Sequence, residues 1–387
     1  YSARSRRRRR PCLRREGRQR MKVEKLDIVN FKNIEEASLE FSGGVNCLLG
    51  MNGMGKSNLL EAIHFLCLAR PMQSLPESAL PRHGSEMMMV KGNFVMDSGT
   101  NEQVSCGIVK GKGKTLKCNG KEYQRISEHI GRFPIVTVTP ADHAIVSGSA
   151  EERRKLMDMV ISQADKTYLS HLIRYNRSID SRNRMLRAGV KDKLLYESVE
   201  SAMEESAAVI HSTRKAWVAE ILPAFRSRYS EISGDAEKAS IRYSSVLNDQ
   251  TLRDVLDSTR AKDQVLGYTS KGVHRDDLLT GLGDYSMRRL GSQGQVKTFT
   301  IALRLAIFSY LRKVSGLTPI LMLDDIFDKL DSSRVGRIME MVSGDDGFGQ
   351  IFITDTNREH LDEILGAIHG ESKLFTVTDG KFDIIDH

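Results

Sequence analysis

Long hydrophobic runs and proline are scarce in this sequence. No stretch approaches the roughly 18 apolar residues that a membrane-spanning helix needs, and the first residues contain no apolar segment of signal-peptide length. The lack of long apolar segments argues against an integral membrane or exported protein. We therefore expect a soluble, cytoplasmic protein without a membrane partner.

Cysteine is also sparse, and its five positions form no C-x-x-C pair. An odd number of unpaired cysteines argues against a zinc site and against a disulfide framework. We expect reduced thiols at all five positions, which are Cys12, Cys47, Cys67, Cys106 and Cys118.

Positive charge is concentrated at one end of the chain. Residues 1–20 hold ten arginines and one glutamate, which contributes +9 to the formal net charge of +8 and leaves −1 for the other residues. Met21 then opens an alternating apolar pattern that predicts a first strand. We interpret residues 1–20 as a non-native or disordered tail, with a DNA-binding arm or a transit peptide as the alternatives.

The spacing of apolar residues divides the rest of the chain. Strand patterns precede residue 150 and return after Pro319, whereas helical spacing dominates from Ala150 to about Ile232, where prolines are rare. We predict an α/β domain interrupted by a mainly helical segment. The expected boundaries are 21–149 for the first part, 150–260 for the helical arm or lid, and 261–387 for the second part.

Residues 50–57 match the P-loop pattern G-x-x-x-x-G-K-[ST] at every position. An apolar strand precedes them and an amphipathic helix follows, as a P-loop requires, so a chance match is disfavoured. Backbone N–H groups and the helix N-terminus would hold the phosphates of ATP, Lys56 would reach the β- and γ-phosphates, and Ser57 would bind Mg²⁺. The predicted contacts are Gly50, Met51, Asn52, Gly53, Met54, Gly55, Lys56 and Ser57.

A second motif, a pair of aspartates, follows the apolar run Ile320–Leu323. Asp324 has the position of a Walker B aspartate and is the predicted second ligand of Mg²⁺. Asp325 is placed to act as the catalytic base that polarises the attacking water, with Lys56 as the second catalytic residue. The alternative is a pair of solvated turn aspartates.

A loop and an amphipathic helix lie upstream of this motif. The loop resembles the signature motif of ABC-type ATPases, in which the serine and the helix N-terminus contact the nucleotide of the opposite protomer. The corresponding predicted contacts are Ser292, Gln293, Gly294 and Gln295. Leu330-Asp331 resembles the D-loop that couples the two sites. The predicted fold is therefore an α/β, ABC-type P-loop ATPase head, interrupted by a mainly helical arm.

Over almost its whole length from Met21, the chain resembles the RecF family of bacterial recombination-repair ATPases, which are related to SMC proteins. The segments that match occur in the same order as in the family. The matching segments are Asn30-Phe-Lys-Asn33, Gly50 to Glu61, Arg82-His83-Gly84, Thr139-Pro-Ala-Asp142, Gly148-Ser149 with Arg153-Arg154 and Asp158, Tyr175-Asn176, Arg182-Asn183, Gly272-Val-His-Arg-Asp-Asp277, Ser292-Gln-Gly-Gln295 and Leu323-Asp-Asp325.

This resemblance implies an ATP-dependent homodimer that binds single-stranded, gapped or junction DNA. It also implies RecR, RecO and RecA as partners, with weak, DNA-stimulated hydrolysis of ATP. Two segments depart from the family pattern, namely 71–74 and the position of Val273. Asp142 stands where ABC proteins carry a Q-loop glutamine, and Thr354 to Asn357 occupy the switch position.

Two other functions share these motifs. The nucleotide-binding subunit of a membrane transporter would need a Q-loop glutamine and a smaller helical insertion. A chromosome-tethering ATPase would need a much longer coiled-coil arm. Candidate DNA contacts lie along the arm, although a solvated helix face is the favoured account of any one of them; they are Arg153, Arg154, Arg174, Arg182, Arg184 and Arg187.

Overall fold

The computed structural model describes residues 19–72, 75–234, 237–327, 330–343, 347–367 and 370–385. The predicted basic tail lies outside the described residues as far as residue 18, and Cys12 lies outside them too.

Strands in the described residues form three sheets. In chain order they are β1 (Gln19–Phe31), β2 (Ile34–Glu40), β3 (Val45–Leu49), β4 (Met87–Met96), β5 (Asn101–Val109), β6 (Gly113–Cys118), β7 (Lys121–Glu122), β8 (Ile135–Val138), β9 (Ala239–Ser244), β10 (Asp277–Leu282), β11 (Tyr285–Ser286), β12 (Leu317–Thr318), β13 (Ile320–Asp324), β14 (Ile351–Asp355), β15 (Ser372–Thr378) and β16 (Lys381–Ile385).

The α-helices of the described residues lie between these strands. They are α1 (Lys56–Leu68), α2 (His143–Ser147), α3 (Ala150–Ala164), α4 (Lys166–Arg187), α5 (Lys193–Ser233), α6 (Leu252–Leu266), α7 (Met287–Leu290), α8 (Gln293–Ser315), α9 (Ser332–Ser343) and α10 (Arg358–Ala367). Among them, none combines the length and the apolar character that crossing a membrane requires.

The central sheet has the strand order β16-β15-β3-β14-β13-β8, and its strands are parallel except for β16. Strands β3, β8, β13 and β14 are mostly apolar and buried on both faces, because helices cover one face and the second sheet with α1 covers the other. In β13, Leu321 and Leu323 join one hydrophobic core while Ile320 and Met322 join the other. This arrangement places the carboxyl ends of β3, β13 and β14 beside one another, which is where open α/β sheets bind ligands.

The second sheet has the order β12-β1-β4-β5-β6-β7, with β2 also paired to β1. The predicted alternation is present in β1, since Met21, Val23, Leu26 and Ile28 are all buried. The strand starts two residues earlier than Met21, because Gln19 continues it by pairing in parallel with Leu317. The P-loop helix α1 packs its apolar residues into the core beneath this sheet.

Helices α3 to α6 lie between the two parts of the α/β fold along the chain, as the sequence predicts. The helix α5 continues through Pro223, and the buried side chains of Ile221 and Phe225 on either side favour continuation despite the missing N–H group. A small sheet in the order β11-β10-β9 joins this region to the second part of the head. Strands β9 and β10 pair with each other although they lie on opposite sides of the predicted boundary between residues 260 and 261. The predicted domain bounds therefore stay a prediction.

Candidate nucleotide-binding site

The loop between β3 and α1 has the backbone that a phosphate-binding loop needs. Gly53 and Gly55 adopt φ angles of +83° and +117°, which side chains rarely tolerate. A Cβ atom on Gly50 would lie 2.5 Å from the carbonyl oxygen of Val377. The glycines are therefore required by geometry, and the loop ends at the N-terminus of α1, where free N–H groups favour an anion.

Lys56 is buried at the start of α1, where its Nζ donates hydrogen bonds to the carbonyl oxygens of Gly50 (2.5 Å) and Met51 (3.0 Å). Burial lowers the pKa of its ammonium group, and the charges of Asp325, Asp324 and Asp355 oppose that effect. The ammonium is thus held inside the loop by carbonyl oxygens, and phosphate oxygens would be stronger acceptors for it.

Asp324 lies at the end of β13 and accepts two hydrogen bonds on the same oxygen. The hydroxyl of Ser57 donates to Oδ1 at 2.8 Å, and the hydroxyl of Thr354 donates to Oδ1 at 2.7 Å. Burial raises the pKa of Asp324, while these two hydrogen bonds and the charge of Lys56 lower it.

The pair of Ser57 and Asp324 fits Mg²⁺. Their side-chain oxygens lie 2.8 Å apart at the mouth of the P-loop, and Mg²⁺ in nucleotide sites is held by one or two carboxylates together with phosphate oxygens and water. Both residues would bind the ion through oxygen.

Asp325 follows directly and has a left-handed backbone with φ of 49°. Its N–H donates to Oγ1 of Thr354 at 2.9 Å, so one threonine hydroxyl touches both aspartates. The side chain is partly buried, and its negative charge raises the pKa of Lys56 against the effect of burial. Asp325 therefore adjoins the proposed metal ligand Asp324 at the carboxyl end of β13.

Asp142, in the stretch comparable to a Q-loop, is buried rather than open to a ligand. Its two oxygens accept hydrogen bonds from Nε (3.0 Å) and Nη2 (2.6 Å) of Arg304 in α8. Asp142 also accepts from the N–H of Thr139 in a capping box. This carboxylate thus joins the loop after β8 to the signature helix.

The predicted signature loop precedes α8. Ser292 is exposed and caps the helix, since its hydroxyl accepts from the N–H of Gln295 at 3.2 Å and its own N–H donates to Oε1 of Gln295 at 2.8 Å. The side-chain amide of Gln295 donates to Glu237. Between loop residues 291–295 and the P-loop, both fully described, no hydrogen bond forms.

The D-loop candidate is tied to the same helix. Asp331 caps α9 by accepting from the N–H of Arg334 at 3.0 Å and forms an ion pair with its guanidinium at 3.2 Å. The guanidinium also donates to the hydroxyl of Thr298 in α8 at 3.1 Å. Arg334 therefore connects the D-loop candidate to the helix that follows the signature loop.

Three residues of the site carry no motif that identifies their role. Thr354 positions both Walker B aspartates, Glu237 holds Gln295, and Arg334 links the D-loop to α8. Thr354 had a partial signal, because it lies near the end of a buried strand and falls in the switch segment. Glu237 and Arg334 had none, since the partners that give them these roles, Gln295 and Thr298, are distant in sequence.

The arm arginines separate into three groups. Arg153 and Arg182 are buried in ion pairs, with Asp277 and with Glu200 and Asp263 respectively, so they are structural rather than DNA contacts. Arg154 is partly buried and donates to a backbone carbonyl, and Arg174 pairs with a glutamate. The two arginines near the end of α4, Arg184 and Arg187, are exposed.

Known proteins resemble this chain over almost its whole length. A family model described as "RecF/RecN/SMC N terminal domain" matches residues 22–379. The DNA replication and repair protein RecF of Phocaeicola vulgatus is 46% identical over 363 residues, which cover 93% of this chain and 98% of that protein. The protein of the same name from Porphyromonas gingivalis is 47% identical over 362 residues, covering 93% and 99%.

Solved structures agree with this relationship. A structure of the recombination mediator protein RecF with ATP in the RecFOR pathway superposes with a TM-score of 0.83 at 28% identity, and the match covers 94% of this chain and 99% of that one. The level of identity to the two relatives and the extent of the family match leave one conclusion. The chain belongs to the RecF family.

Proposed function

We propose that this chain is an ATP-dependent DNA-binding protein of recombinational repair and replication restart. In this proposal it binds ATP, dimerises on single-strand gaps or junctions, and cooperates with RecR and RecO to load RecA. The names of its relatives as DNA replication and repair proteins support the general role. The RecF structure with ATP in the RecFOR pathway supports the nucleotide and the pathway.

One observation carries the nucleotide assignment. Ser57 and Asp324 are 267 residues apart in sequence, yet their oxygens meet at 2.8 Å beside a buried lysine. A structural role alone does not require a glycine-rich loop, a lysine at its end and a carboxylate to converge there. Bound Mg²⁺ would neutralise charge between the β- and γ-phosphates, and Lys56 would add a second cation.

Hydrolysis would use Asp325 as the base. It follows the proposed metal ligand Asp324, and its backbone is held by Thr354, so its carboxylate would orient a water for attack on the γ-phosphate and take a proton from it. Turnover would be slow and stimulated by DNA. Release of the dimer from DNA would follow hydrolysis.

The second half of each site would come from the other copy. Ser292 lies at the N-terminus of the 23-residue helix α8, where a phosphate is favoured by free N–H groups and the helix dipole. Since this loop makes no hydrogen bond to the P-loop of its own chain among the described residues, the γ-phosphate it recognises would be bound to the partner.

The test compares two variants by mass measurement with ATP and with ADP. We expect Lys56→Ala to lose ATP binding, because the triphosphate loses its main side-chain partner. Ser292→Arg should instead bind ATP as a monomer and fail to dimerise. Wild-type protein that stays monomeric with ATP would contradict the proposed dimer, and tight ATP binding by Lys56→Ala would contradict the P-loop assignment.

A further inference from the structure

A shallow groove lies beside the signature loop. It has a volume of about 420 Å³, and its lining includes Leu282, Tyr285, Met287, Leu290 and Gln295. Tyr285 and Leu290 are 66% and 67% exposed. Exposed large apolar side chains that line one groove are a common feature of interaction surfaces.

The groove and the signature loop form one unit. Gly291 separates Leu290 from Ser292, its N–H donates to the carbonyl of Met287 at 3.0 Å, and Met287 is buried. On the other side, Gln295 donates to Glu237, which also accepts from the hydroxyl of Tyr229 at 2.8 Å. Whatever meets Ser292 therefore lies next to the groove.

The P-loop has its own exposed apolar residue. Met51 is 70% exposed, although the loop around it is tightly constrained and Lys56 is buried beneath it. The P-loop pattern leaves this position open, so phosphate binding does not demand a methionine there. Its side chain is free to contact another molecule.

We infer that the groove beside the signature loop is part of the ATP-dependent dimer interface and receives Met51 of the partner subunit. The inference rests on the proposed function, in which Ser292 meets the γ-phosphate held by the partner's P-loop. The groove then faces the outer surface of that P-loop. In a twofold dimer the same contact forms twice, so both exposed patches become buried together.

Charge supports the same occupant. Arg288 and Arg289 are exposed on α7 between Met287 and Leu290. Facing the partner's P-loop, they would lie close to a bound triphosphate, which is the strongest negative charge in the proposed dimer. The groove would contribute apolar contact while these arginines complement the nucleotide.

Disulfide trapping tests the contact directly. A chain that begins at Gln19 lacks Cys12, and its remaining cysteines, Cys47, Cys67, Cys106 and Cys118, are free and buried, so background reaction is low. In that chain, Met51→Cys protein is mixed with Leu290→Cys protein under mild oxidation, after ATP binding by each variant has been measured. We expect a cross-linked dimer with ATP and at least tenfold less with ADP.

The matched control is Val314→Cys. Val314 is 47% exposed near the other end of α8, which is about 33 Å from Ser292 at 1.5 Å per residue. It should give no cross-link to Met51→Cys in either nucleotide. A yield equal to that of Leu290→Cys would overturn the inference.

A second measurement separates this inference from the proposed function. Leu290→Asp should bind a fluorescent ATP analogue as the wild type does and weaken ATP-dependent dimerisation at least tenfold, whereas Val314→Asp should not. If the wild type fails to dimerise with ATP, the proposed function fails. If the wild type dimerises while Leu290→Asp dimerises equally well and no disulfide forms, only the groove contact is wrong.

Discussion

At the scale of single residues, the candidate site depends on the hydroxyl group of Thr354, which belongs to neither the P-loop nor the Walker B motif. Thr354 donates to Asp324 and accepts from the N–H of Asp325. It therefore fixes the proposed metal ligand and the proposed base relative to each other. A carboxylate held by two hydroxyl donors is oriented before any ligand arrives, which reduces the cost of organising the site on binding.

Replacement of Asp325 by asparagine separates binding from hydrolysis. We expect Asp325→Asn to bind ATP as the wild type does and to hydrolyse it about 100-fold more slowly, because an amide cannot accept the proton from water. Single-turnover release of phosphate measures the rate. Asp383→Asn, an exposed site on β16, is the control and should not change it. A wild-type rate in Asp325→Asn would show that another group is the base.

At the scale of secondary-structure elements, buried ion pairs connect the arm to the head. Arg214 of α5 pairs with Asp158 of α3 at 2.7 Å and with Asp276, just before β10, at 2.9 Å. The carbonyl of Val273 accepts from the same guanidinium. The departure from the family pattern at Val273 therefore falls on a buried backbone contact that valine preserves.

The pair of Arg304 and Asp142 joins α8 to the loop after β8, and both side chains are about nine-tenths buried. We expect Arg304→Leu to lower the free energy of unfolding by about 3–5 kcal/mol, because it leaves a buried carboxylate unpaired. Urea denaturation at pH 7 measures this change.

The double variant Arg304→Leu with Asp142→Asn is the matched control. It removes the uncompensated charge and retains an oxygen for the cap on Thr139, so it should be more stable than Arg304→Leu alone. If the double variant is the less stable of the two, the ion pair is not what links these elements.

At the scale of the whole molecule, buried histidines make stability depend on pH. Burial lowers the pKa of His64 to about 3 and those of His129 and His274 to about 4. Each is therefore neutral when folded, whereas the unfolded chain takes up a proton near pH 6.5. Their contribution is complete above about pH 6.5 and is lost as the pH falls from there toward 4.

His129 offers the cleanest test, because its ring contacts the carbonyl of Leu66 in α1 and the hydroxyl of Tyr123. Nearby Arg132 and Lys166 also lower its pKa. Between pH 7 and pH 5 the wild type should lose about 2 kcal/mol more than His129→Gln does. Parallel curves of unfolding free energy against pH for the two proteins would contradict this.

Positive charge at the N-terminal end of the chain should contribute to the DNA affinity of the whole molecule. Removing residues 1–18 discards nine arginines and one glutamate and keeps β1 whole. We expect the shortened chain to retain ATP-dependent DNA binding with a shallower salt dependence, since each neutralised phosphate adds about −0.9 to the slope of log affinity against log salt.

The measurement compares both chains at about 50 and about 200 mM salt, with ATP and with ADP. The nucleotide dependence should be the same in the two chains. If only the full chain binds DNA, the arginine-rich segment is the DNA-binding element and the proposed DNA binding by the ATP-dependent dimer is wrong.

The sequence by itself determined the local parts of this protein. The apolar run of β13, the alternation in β1 and the capping box at Ser292 each depend on residues within a few positions of one another, so periodicity and spacing reveal them. For the same reason the P-loop could be read from its eight residues, and its glycines have the backbone angles that the pattern implies.

Only the tertiary structure decided which distant residues meet. Strand β14 lies between β3 and β13, and this order brings Thr354 against Asp324 and Asp325. Likewise, Arg304 reaches Asp142 across 162 residues, so the residue at the Q-loop position forms a buried ion pair. No periodic pattern encodes such pairs, because they follow from the pairing order of strands and the packing of helices over them, which the whole chain determines together.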